Sequence, residues 1–515
     1  MKLPLAVTAG LVLAACTRAP ATPQTKNPAS PQDAQAAAAE KATTQEVPVT
    51  SSSPQARTHF LRGRDLADNI HFEEATAALE KAVELDAQFA TAHALLATLL
   101  PPAQAKDHVD IALANSARLP EAERMQIEAL AAAVQGDNAK ARELQVRLAE
   151  LAPADWRTHN QLGILWLGDR NWDKAVPEFQ KAIELNPKAG AAHNYLGYAY
   201  LNQEKYEESA ASFRKYAEVA PTEPNAPDSL GEVLMASGRL AEAEKEFQKA
   251  LAMQPRFAGA WTGTAETRFL RGDWAGGDEA LAREKEVDLR PLAVVTAEAN
   301  AAIARLAQGK TAECWRRLDQ AVVTARENRL AQEYTFASLQ ARLRGREGDF
   351  AESLQRATAA LEATEKSDLP AGPKGNVRRV ALLEVVRAQS LAKDGAGAEK
   401  SLAALEEAVK PVAQIAFFAS ALQNARGLAA LARGNSNEAI GAMRKCIGTD
   451  FNCQYDLVQA QDKAGDRAGA AGTREALFKT PVRAIEYVYV WKKLGGQPGA
   501  PRVARAGHAI RPPRD

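Results

Sequence analysis

Apolar and polar positions in the middle of the chain follow a helical period, in pairs of amphipathic segments joined by short turns. Between Trp156 and Phe257 the arrangement repeats every 34 residues. Prolines, Leu-Gly pairs, phenylalanines and small residues all keep that spacing. They are Pro153, Pro187, Pro221 and Pro255; Gly163, Gly197 and Gly231, each after Leu; Phe179, Phe213 and Phe247; and Ala175, Ser209 and Ala243. The pattern predicts a stack of helical hairpins, one per repeat.

Each column has a physical reason. A glycine lets two helices approach closely, a small residue suits the point where they cross, and proline ends the second helix. These columns resemble the signature of the tetratricopeptide repeat (TPR), which also spans 34 residues. The resemblance implies an all-α fold, a right-handed α-solenoid of roughly ten TPR and TPR-like hairpins.

The resemblance spreads outward from the centre and loosens towards the C-terminus. It implies a regular array over residues 56–291 and a looser array over 292–494. The Pro/Gly-rich stretch Asp368–Asn376 is interpreted as a surface loop between two sub-solenoids. Residues Ala484 to Leu494 are expected to form a terminal helix that covers the open end, and 495–515 a disordered tail.

The N-terminus has the features of an export signal. Met1 and Lys2 precede an apolar run, which ends Leu13-Ala14-Ala15-Cys16. This ending resembles the bacterial lipobox, which implies that residues 1–15 are a signal peptide and that Cys16 carries acyl chains. The alternative is an ordinary cleaved signal with an incidental cysteine. Thr17 in place of Asp implies the outer membrane of a Gram-negative bacterium. Residues 16–55, rich in Pro, Ala and Gln, are predicted to be a disordered tether.

Charge and motifs exclude several function classes. The chain has 64 basic and 64 acidic residues, so no global field favours nucleic acid. His59, His93, His159 and His193 occupy the repeat position of the family's tryptophan, and Cys314 occupies a small-residue position. We therefore interpret them as packing residues. No enzyme motif is present, and we expect no catalytic residue, metal or cofactor.

One cysteine pair is placed differently. Cys446 lies near the end of a predicted second helix, and Cys453 opens the next helix. Because an exported protein meets an oxidising compartment, we predict a disulfide between them. The alternative is two separate thiols whose Cα atoms lie too far apart.

The family resemblance also implies a binding site, because first helices of TPR hairpins line a concave groove for peptides or partner helices. The matching positions form pairs four residues apart, on one helix face. They are Asn160 and Ile164, Asn194 and Tyr198, Asp228 and Glu232, and Thr262 and Glu266. None is Lys or Arg, which argues against a clamp for a C-terminal carboxylate and favours a basic or neutral peptide. The alternative is a merely solvated surface.

The resulting functional hypothesis is a non-enzymatic scaffold or adaptor for protein–protein interaction at the bacterial cell envelope, anchored by its lipid. The alternative is an outer-membrane lipoprotein that captures a glycan or peptide substrate. Glycan-capturing lipoproteins interrupt their TPR helices with long aromatic-bearing loops, which this chain lacks.

Overall fold

The computed structural model describes residues 46–369, 371–413, 415–480 and 485–496. In that part the regular structure consists of 25 α-helices and one short 3₁₀ helix, Lys410–Val412, with no strand. The predicted fold class, an all-α solenoid of TPR and TPR-like hairpins, is confirmed. Among these residues no helix combines the length and apolar character that crossing a membrane requires.

The described chain forms two compact units, unit 1 (46–226) and unit 2 (227–496). Unit 1 contains helices α1 to α10, in order Pro54–Asp68, Phe72–Leu85, Ala90–Ala97, Pro102–Ala114, Glu121–Val134, Asn138–Leu151, Trp156–Gly168, Trp172–Leu185, Gly190–Asn202 and Tyr206–Val219. The division falls within α11, Asn225–Ala236.

Unit 2 continues from α11 with fourteen further helices. Helices α12 to α25 are, in order, Leu240–Met253, Ala258–Arg271, Trp274–Val287, Pro291–Ala307, Thr311–Glu327, Gln332–Arg346, Phe350–Lys366, Ala371–Leu391, Gly395–Val409, Ala416–Ala432, Ser436–Met443, Phe451–Ala464, Arg467–Lys479 and Ile485–Lys493.

Odd-numbered helices up to α23 are the first helices of hairpins, and the even-numbered helix that follows is the second. This makes twelve hairpins, from α1–α2 to α23–α24, against the roughly ten expected from the repeats. In unit 1, successive first helices also contact each other, as α3 contacts α5 and α7 contacts α9. In unit 2, α17 contacts α19, α19 contacts α21 and α21 contacts α23, so these first helices lie side by side.

The turn inside each central hairpin requires a left-handed residue. Five residues with positive φ recur every 34 positions and stand just before a second helix. They are Gly136, Arg170, Glu204, Gly238 and Gly272. Glycine adopts this conformation without a steric cost, whereas Arg170 and Glu204 adopt it at φ of 57° and 61°. An Asp or Asn side chain then caps several second helices, as Asn171 caps the N–H of Lys174.

The Leu-Gly column packs against the phenylalanine column. A Cβ atom added to Gly163 would lie 2.6 Å from Cε1 of Phe179, and Gly197 has the same relation to Phe213. Phe179 and Phe213 are fully buried. The glycines are thus required by the close approach of the two helices in each hairpin.

Unit 2 departs from the 34-residue period because its helices lengthen. Helices α15, α16, α18 and α21 have 17 residues each, against 12 to 14 for α7 to α14. The prediction of a surface loop over Asp368–Asn376 is wrong for the second part of that stretch, because the 21-residue helix α19 begins at Ala371. Pro373 is compatible with a first helical turn, where the missing N–H leaves no helical bond unmade.

Both ends of the described chain differ from expectation. Residues 46–55, predicted to belong to a disordered tether, are packed in unit 1, where Val47 is buried and α1 begins at Pro54. The predicted terminal helix exists as α25, but it contacts the first helices α13, α15 and α23 instead of only covering the last hairpin. The signal peptide, Cys16, tether residues 16–45 and most of the predicted tail lie outside the described residues.

Candidate protein-binding surfaces

The four predicted groove residues of unit 1 lie on α7 and α9 as expected, but they expose little surface. Asn160, Asn194 and Tyr198 are 5 to 6% exposed, and Ile164 is half-buried. The ring of Tyr198 packs edge-on against Phe213, with 5.0 Å between centroids. The Oδ1 atom of Asn160 is buried and accepts no hydrogen bond from the described residues.

The four predicted groove residues of unit 2 lie on α11 and α13. Asp228 and Glu266 are buried, whereas Glu232 and Thr262 are half-buried. Burial raises the pKa of Glu266 to about 8, and the nearby carboxylates of Glu284 and Glu232 act in the same direction. Asn300 partly offsets this by donating a hydrogen bond of 3.3 Å to Glu266. Of the eight predicted residues, Ile164, Glu232 and Thr262 offer the most surface to a partner.

Two of the four histidines of the tryptophan column, His93 and His193, contact the turn before their own helix, whereas Nδ1 of His159 lies 2.8 Å from Glu178 instead. The Nε2 atom of His193 lies 2.9 Å from the carbonyl oxygen of Pro187, and the Nε1 of Trp261 donates to Pro255 over the same distance. His93 has the corresponding contact, 3.2 Å, with Ala87. In each case the ring nitrogen contacts the carbonyl oxygen of the residue six positions earlier, in the turn before the helix. Histidine and tryptophan can therefore make the same contact with this turn. No metal-holding cluster of His, Cys, Asp or Glu occurs within the described ranges.

The cysteines of unit 2 fall into two classes. Cys314 is a free, fully buried thiol, and burial raises its pKa to about 12, which suppresses the nucleophilic thiolate. Cys446 and Cys453 are joined by a disulfide, with their Cα atoms 6.5 Å apart. The bond links the residues that follow α22 to the first turn of α23.

Unit 1 holds an extended segment of its own chain, residues 46–53, which we call the N-terminal strap. The backbone N–H of Val47 donates to Asp155 (3.1 Å), that of Thr50 to Glu123 (2.8 Å) and that of Ser52 to Asp86 (3.0 Å). Asp155 is the N-cap of α7 and Glu123 lies in the first turn of α5, whereas Asp86 is the C-cap of α2, in the turn that leads to α3.

Side chains of the strap make further contacts beside these backbone hydrogen bonds. The Thr50 hydroxyl donates to the second oxygen of Glu123 over 2.7 Å, and Val47 belongs to a buried hydrophobic cluster that includes Met125 and Leu148. Burial opposes ionisation of Asp86, but hydrogen bonds from Ser51 and Ser52 hold its pKa below the usual value. Unit 1 therefore recognises an extended segment mainly through carboxylates that accept backbone N–H groups.

Unit 2 holds a helix of its own chain, α25. All residues from Ile485 to Trp491 are buried, so the helix is enclosed on every side up to its last two residues, Lys492 and Lys493, which are exposed. The ring of Tyr487 packs edge-on against Phe451 of α23, and Trp491 packs against Phe478 of α24, with centroids 5.9 and 5.7 Å apart. The Tyr489 hydroxyl donates to Glu347 over 2.7 Å.

The centre of this contact is a buried ion network. Arg342 of α17 donates from two nitrogens to the two carboxylate oxygens of Glu486, over 2.9 Å each, and Arg346 donates to the same carboxylate over 3.0 Å. Burial disfavours the charged form of Glu486, but the two guanidinium groups hold the pKa of this carboxyl below its usual value. Arg342 also pairs with Glu384 of α19.

The repeats of both units match a known family. A family model described as a tetratricopeptide repeat matches residues 160–224 and 229–286, which cover nearly all of helices α7 to α14. These are the hairpins that carry the 34-residue columns and the glycine–phenylalanine contacts. Residues 160–286 of this chain are tetratricopeptide repeats. The TPR fold supports a role as a protein–protein interaction scaffold, because stacked repeats present an extended binding surface.

Several solved structures are similar to parts of this chain. Yeast Tom70 is 14% identical to this chain, and the similar region covers 81% of this chain and 96% of the Tom70 chain, with a TM-score of 0.41. YrrB, described as a TPR protein with an unusual peptide-binding site, is 20% identical over 36% of this chain and 93% of its own chain, with a TM-score of 0.28. PilW, a type IV pilus biogenesis factor, is 19% identical over 39% and 91%, with a TM-score of 0.35. A comparison with curated proteins finds no match.

The most polar contact of unit 2 was not among the predicted site residues. A carboxylate clamp was considered only at the eight predicted positions, none of which is Lys or Arg. Arg342 and Arg346 form such a pair on α17, four residues apart on one helix face, and they hold the side-chain carboxylate of Glu486. A search for arginine pairs at this spacing across all predicted first helices would have found them.

Proposed function

We propose that this TPR protein is a lipid-anchored scaffold that holds partner proteins or peptides at the bacterial cell envelope. The observation that carries the scaffold role is the seating of α25 on α13, α15, α17 and α23, since these first helices accommodate a helical segment in this way. Partner helices commonly bind grooves between helices through apolar contacts with a few polar anchors. Helix α25 makes contacts of both kinds, although its first seven residues are buried on all sides and not on one face alone.

The envelope location rests on the N-terminal sequence. The ending Leu13-Ala14-Ala15-Cys16 after an apolar run supports diacylation of Cys16. Each buried CH₂ of an acyl chain contributes about 0.8 kcal/mol, so two or more chains give a stable anchor. Thr17 supports sorting to the outer membrane.

The anchor is tested by metabolic labelling with a fatty acid in a Gram-negative host. The wild-type chain should be labelled and should sediment with the outer membrane, whereas Cys16→Ala should lose both properties. Unlabelled wild-type chain, or a labelled Cys16→Ala chain, would contradict the proposed anchor.

The scaffold role is tested by photo-crosslinking in living cells, with the crosslinking residue placed at Ile164 or Thr262. Both positions are half-buried on first helices. A matched control places it at Lys181, an exposed position on the second helix α8. The first-helix positions should give discrete protein adducts that the control lacks. The same adducts from all three positions, or none from any, would oppose a partner site on the first helices.

A further inference from the structure

Helix α25 resembles a bound peptide more than an independent element. It has nine residues, and helices of that length are unstable alone in water. Its seven consecutive buried residues include both charged and aromatic side chains, so it has no solvent-facing stripe of its own. The first helices of unit 2 therefore supply the surface that keeps this segment helical.

The polar groups that receive α25 are held in place by unit 2 itself. Arg346 donates to Asn452 over 2.6 Å, and its guanidinium stacks over Tyr455 at 4.6 Å. Arg342 pairs with Glu384, which also accepts from Arg387 over 2.8 Å. Removing α25 would leave both clamp arginines oriented by other partners, with their remaining donors directed at the vacated surface. Such a preorganised pair suits any helix that carries a carboxylate at the right place.

We propose that this surface of unit 2 is a binding site for a partner helix with the chemistry of α25, and that α25 is its exchangeable resident. The partner helix carries a glutamate for Arg342 and Arg346, followed by aromatic residues one, three and five positions later, as Tyr487, Tyr489 and Trp491 follow Glu486. This inference rests on the proposed scaffold function and specifies the partner chemistry for one of its surfaces.

Exchange has a quantitative condition. A segment joined by a short link competes at an effective concentration in the millimolar range. A partner present at about 1 µM must therefore have a dissociation constant roughly a thousandfold lower than that of α25 as a separate peptide. Otherwise it must engage a second surface at the same time. The resident helix thus excludes weak or incomplete ligands, which makes the site selective.

The test uses the full-length chain, purified with Cys16→Ser, and a fluorescent synthetic peptide of residues 481–496. The wild-type chain should bind the peptide weakly, because α25 occupies the site. Glu486→Gln weakens the resident helix but keeps the arginines, so this variant should bind the peptide at least tenfold more tightly. A peptide with the same Glu→Gln change should lose that gain. Glu475→Gln, an exposed position on α24, is the matched control and should behave as wild type.

Hydrogen exchange of the wild-type chain provides the second measurement. The amides of α25 should exchange faster than those of α15 and α17, which shows opening of the resident helix without unfolding of its site. Exchange of α25 only together with these helices, or unfolding of Glu486→Gln, would make α25 a permanent structural element and overturn the inference. So would a folded Glu486→Gln chain that does not bind the peptide. Crosslinked adducts at Ile164 would still support the scaffold role in each of these cases.

Discussion

Unit 1 and unit 2 each hold one end of the described chain against their first helices, but they use different chemistry. The N-terminal strap of unit 1 is extended, and its backbone N–H groups donate to Asp86, Glu123 and Asp155. In helix α25 of unit 2 the backbone N–H groups bond to carbonyl oxygens of the same helix. Its contacts with unit 2 are therefore made by side chains, centred on Glu486.

The difference follows from the conformation of the bound segment. An extended segment exposes unpaired N–H groups that any residue except proline carries, so carboxylates can bind it with little regard to its sequence. A helix presents only side chains, so an arginine pair and aromatic contacts select for particular residues. We expect unit 1 to tolerate sequence changes in the strap, and unit 2 to be sensitive to changes in α25.

The largest effect is expected from Arg342→Met. This change leaves the Glu486 carboxylate with hydrogen bonds from Arg346 alone, and it leaves Glu384 paired with Arg387 alone. Both carboxylates are buried. Breaking a buried ion pair by removing one partner costs about 3–5 kcal/mol. The loss should appear in hydrogen exchange as faster opening of α17 and α25.

The matched control for this change is Arg356→Met. Arg356 pairs with Asp319 and Glu352 at the surface, with 28% of its side chain exposed, and should cost less than about 1 kcal/mol. Equal losses for the two variants would mean that the buried network does not hold α25.

The next effect is the pH dependence of the stability of the fold, which we attribute to the buried carboxyl of Glu266 on the first helix α13. Its pKa in the folded chain is about 8, against an ordinary value of 4.5. Between these values the folded state binds more protons than the unfolded state, so stability falls as pH rises from about 5 to 8. The scale is about 1.4 kcal/mol for each pKa unit of difference. Glu266→Gln should remove this slope and be more stable than wild type at pH 8, by thermal unfolding.

The exposed acid Glu279 on α14 serves as the control for the pH measurement. Glu279→Gln should leave the wild-type pH dependence of unfolding unchanged. If Glu266→Gln also follows the wild-type profile from pH 5 to 8, the buried acid of unit 2 has no role in its stability.

A smaller effect separates the packing of the two units. In Gly163→Ala the new Cβ lies 2.6 Å from the rigid ring of Phe179, and such overpacking costs about 1–3 kcal/mol. In Gly427→Ala the new Cβ lies 2.6 Å from Cγ of Met443 and 3.1 Å from the carbonyl oxygen of Ala439. Because methionine can change rotamer more easily than a buried phenylalanine ring, the loss in unit 2 should be smaller. Gly168→Ala, in the same helix as Gly163, meets no atom within 4 Å and should be neutral or slightly stabilising. Urea unfolding of the three variants gives the order, and a reversed order would contradict the packing account.

The smallest effect is expected at the strap. Glu123→Gln removes the charge that accepts hydrogen bonds from Thr50 and Thr91 and should cost about 1 kcal/mol. Backbone protection of residues 47–52 in hydrogen exchange should fall roughly fivefold. Glu121→Gln, an exposed position in the same helix turn, should leave protection unchanged. Unchanged protection in both variants would show that the strap is held by Val47 packing instead of by Glu123.

The regular hairpins could be predicted from sequence because every contact that defines them is local. Gly163 meets Phe179 sixteen residues later, and the left-handed turn residue Arg170 lies between them. Such contacts repeat with the chain and appear as columns. The eight predicted groove positions lie on first helices, as the columns predict, for the same reason. How buried each residue is could not be read from the columns, because it depends on the neighbouring hairpins.

The 34-residue columns by themselves determined the all-α hairpin stack, the packing roles of its glycines and histidines, and which helix of each pair is the first. Only the tertiary structure decided what those first helices hold. The pair Arg342 and Glu486 is separated by 144 residues, and Val47 and Asp155 by 108. No period links such positions, because the contacts arise where a chain end crosses several repeats at once. For that reason the strap, expected to be part of a tether, and α25, expected to be a cap, became visible as bound segments only in the folded chain.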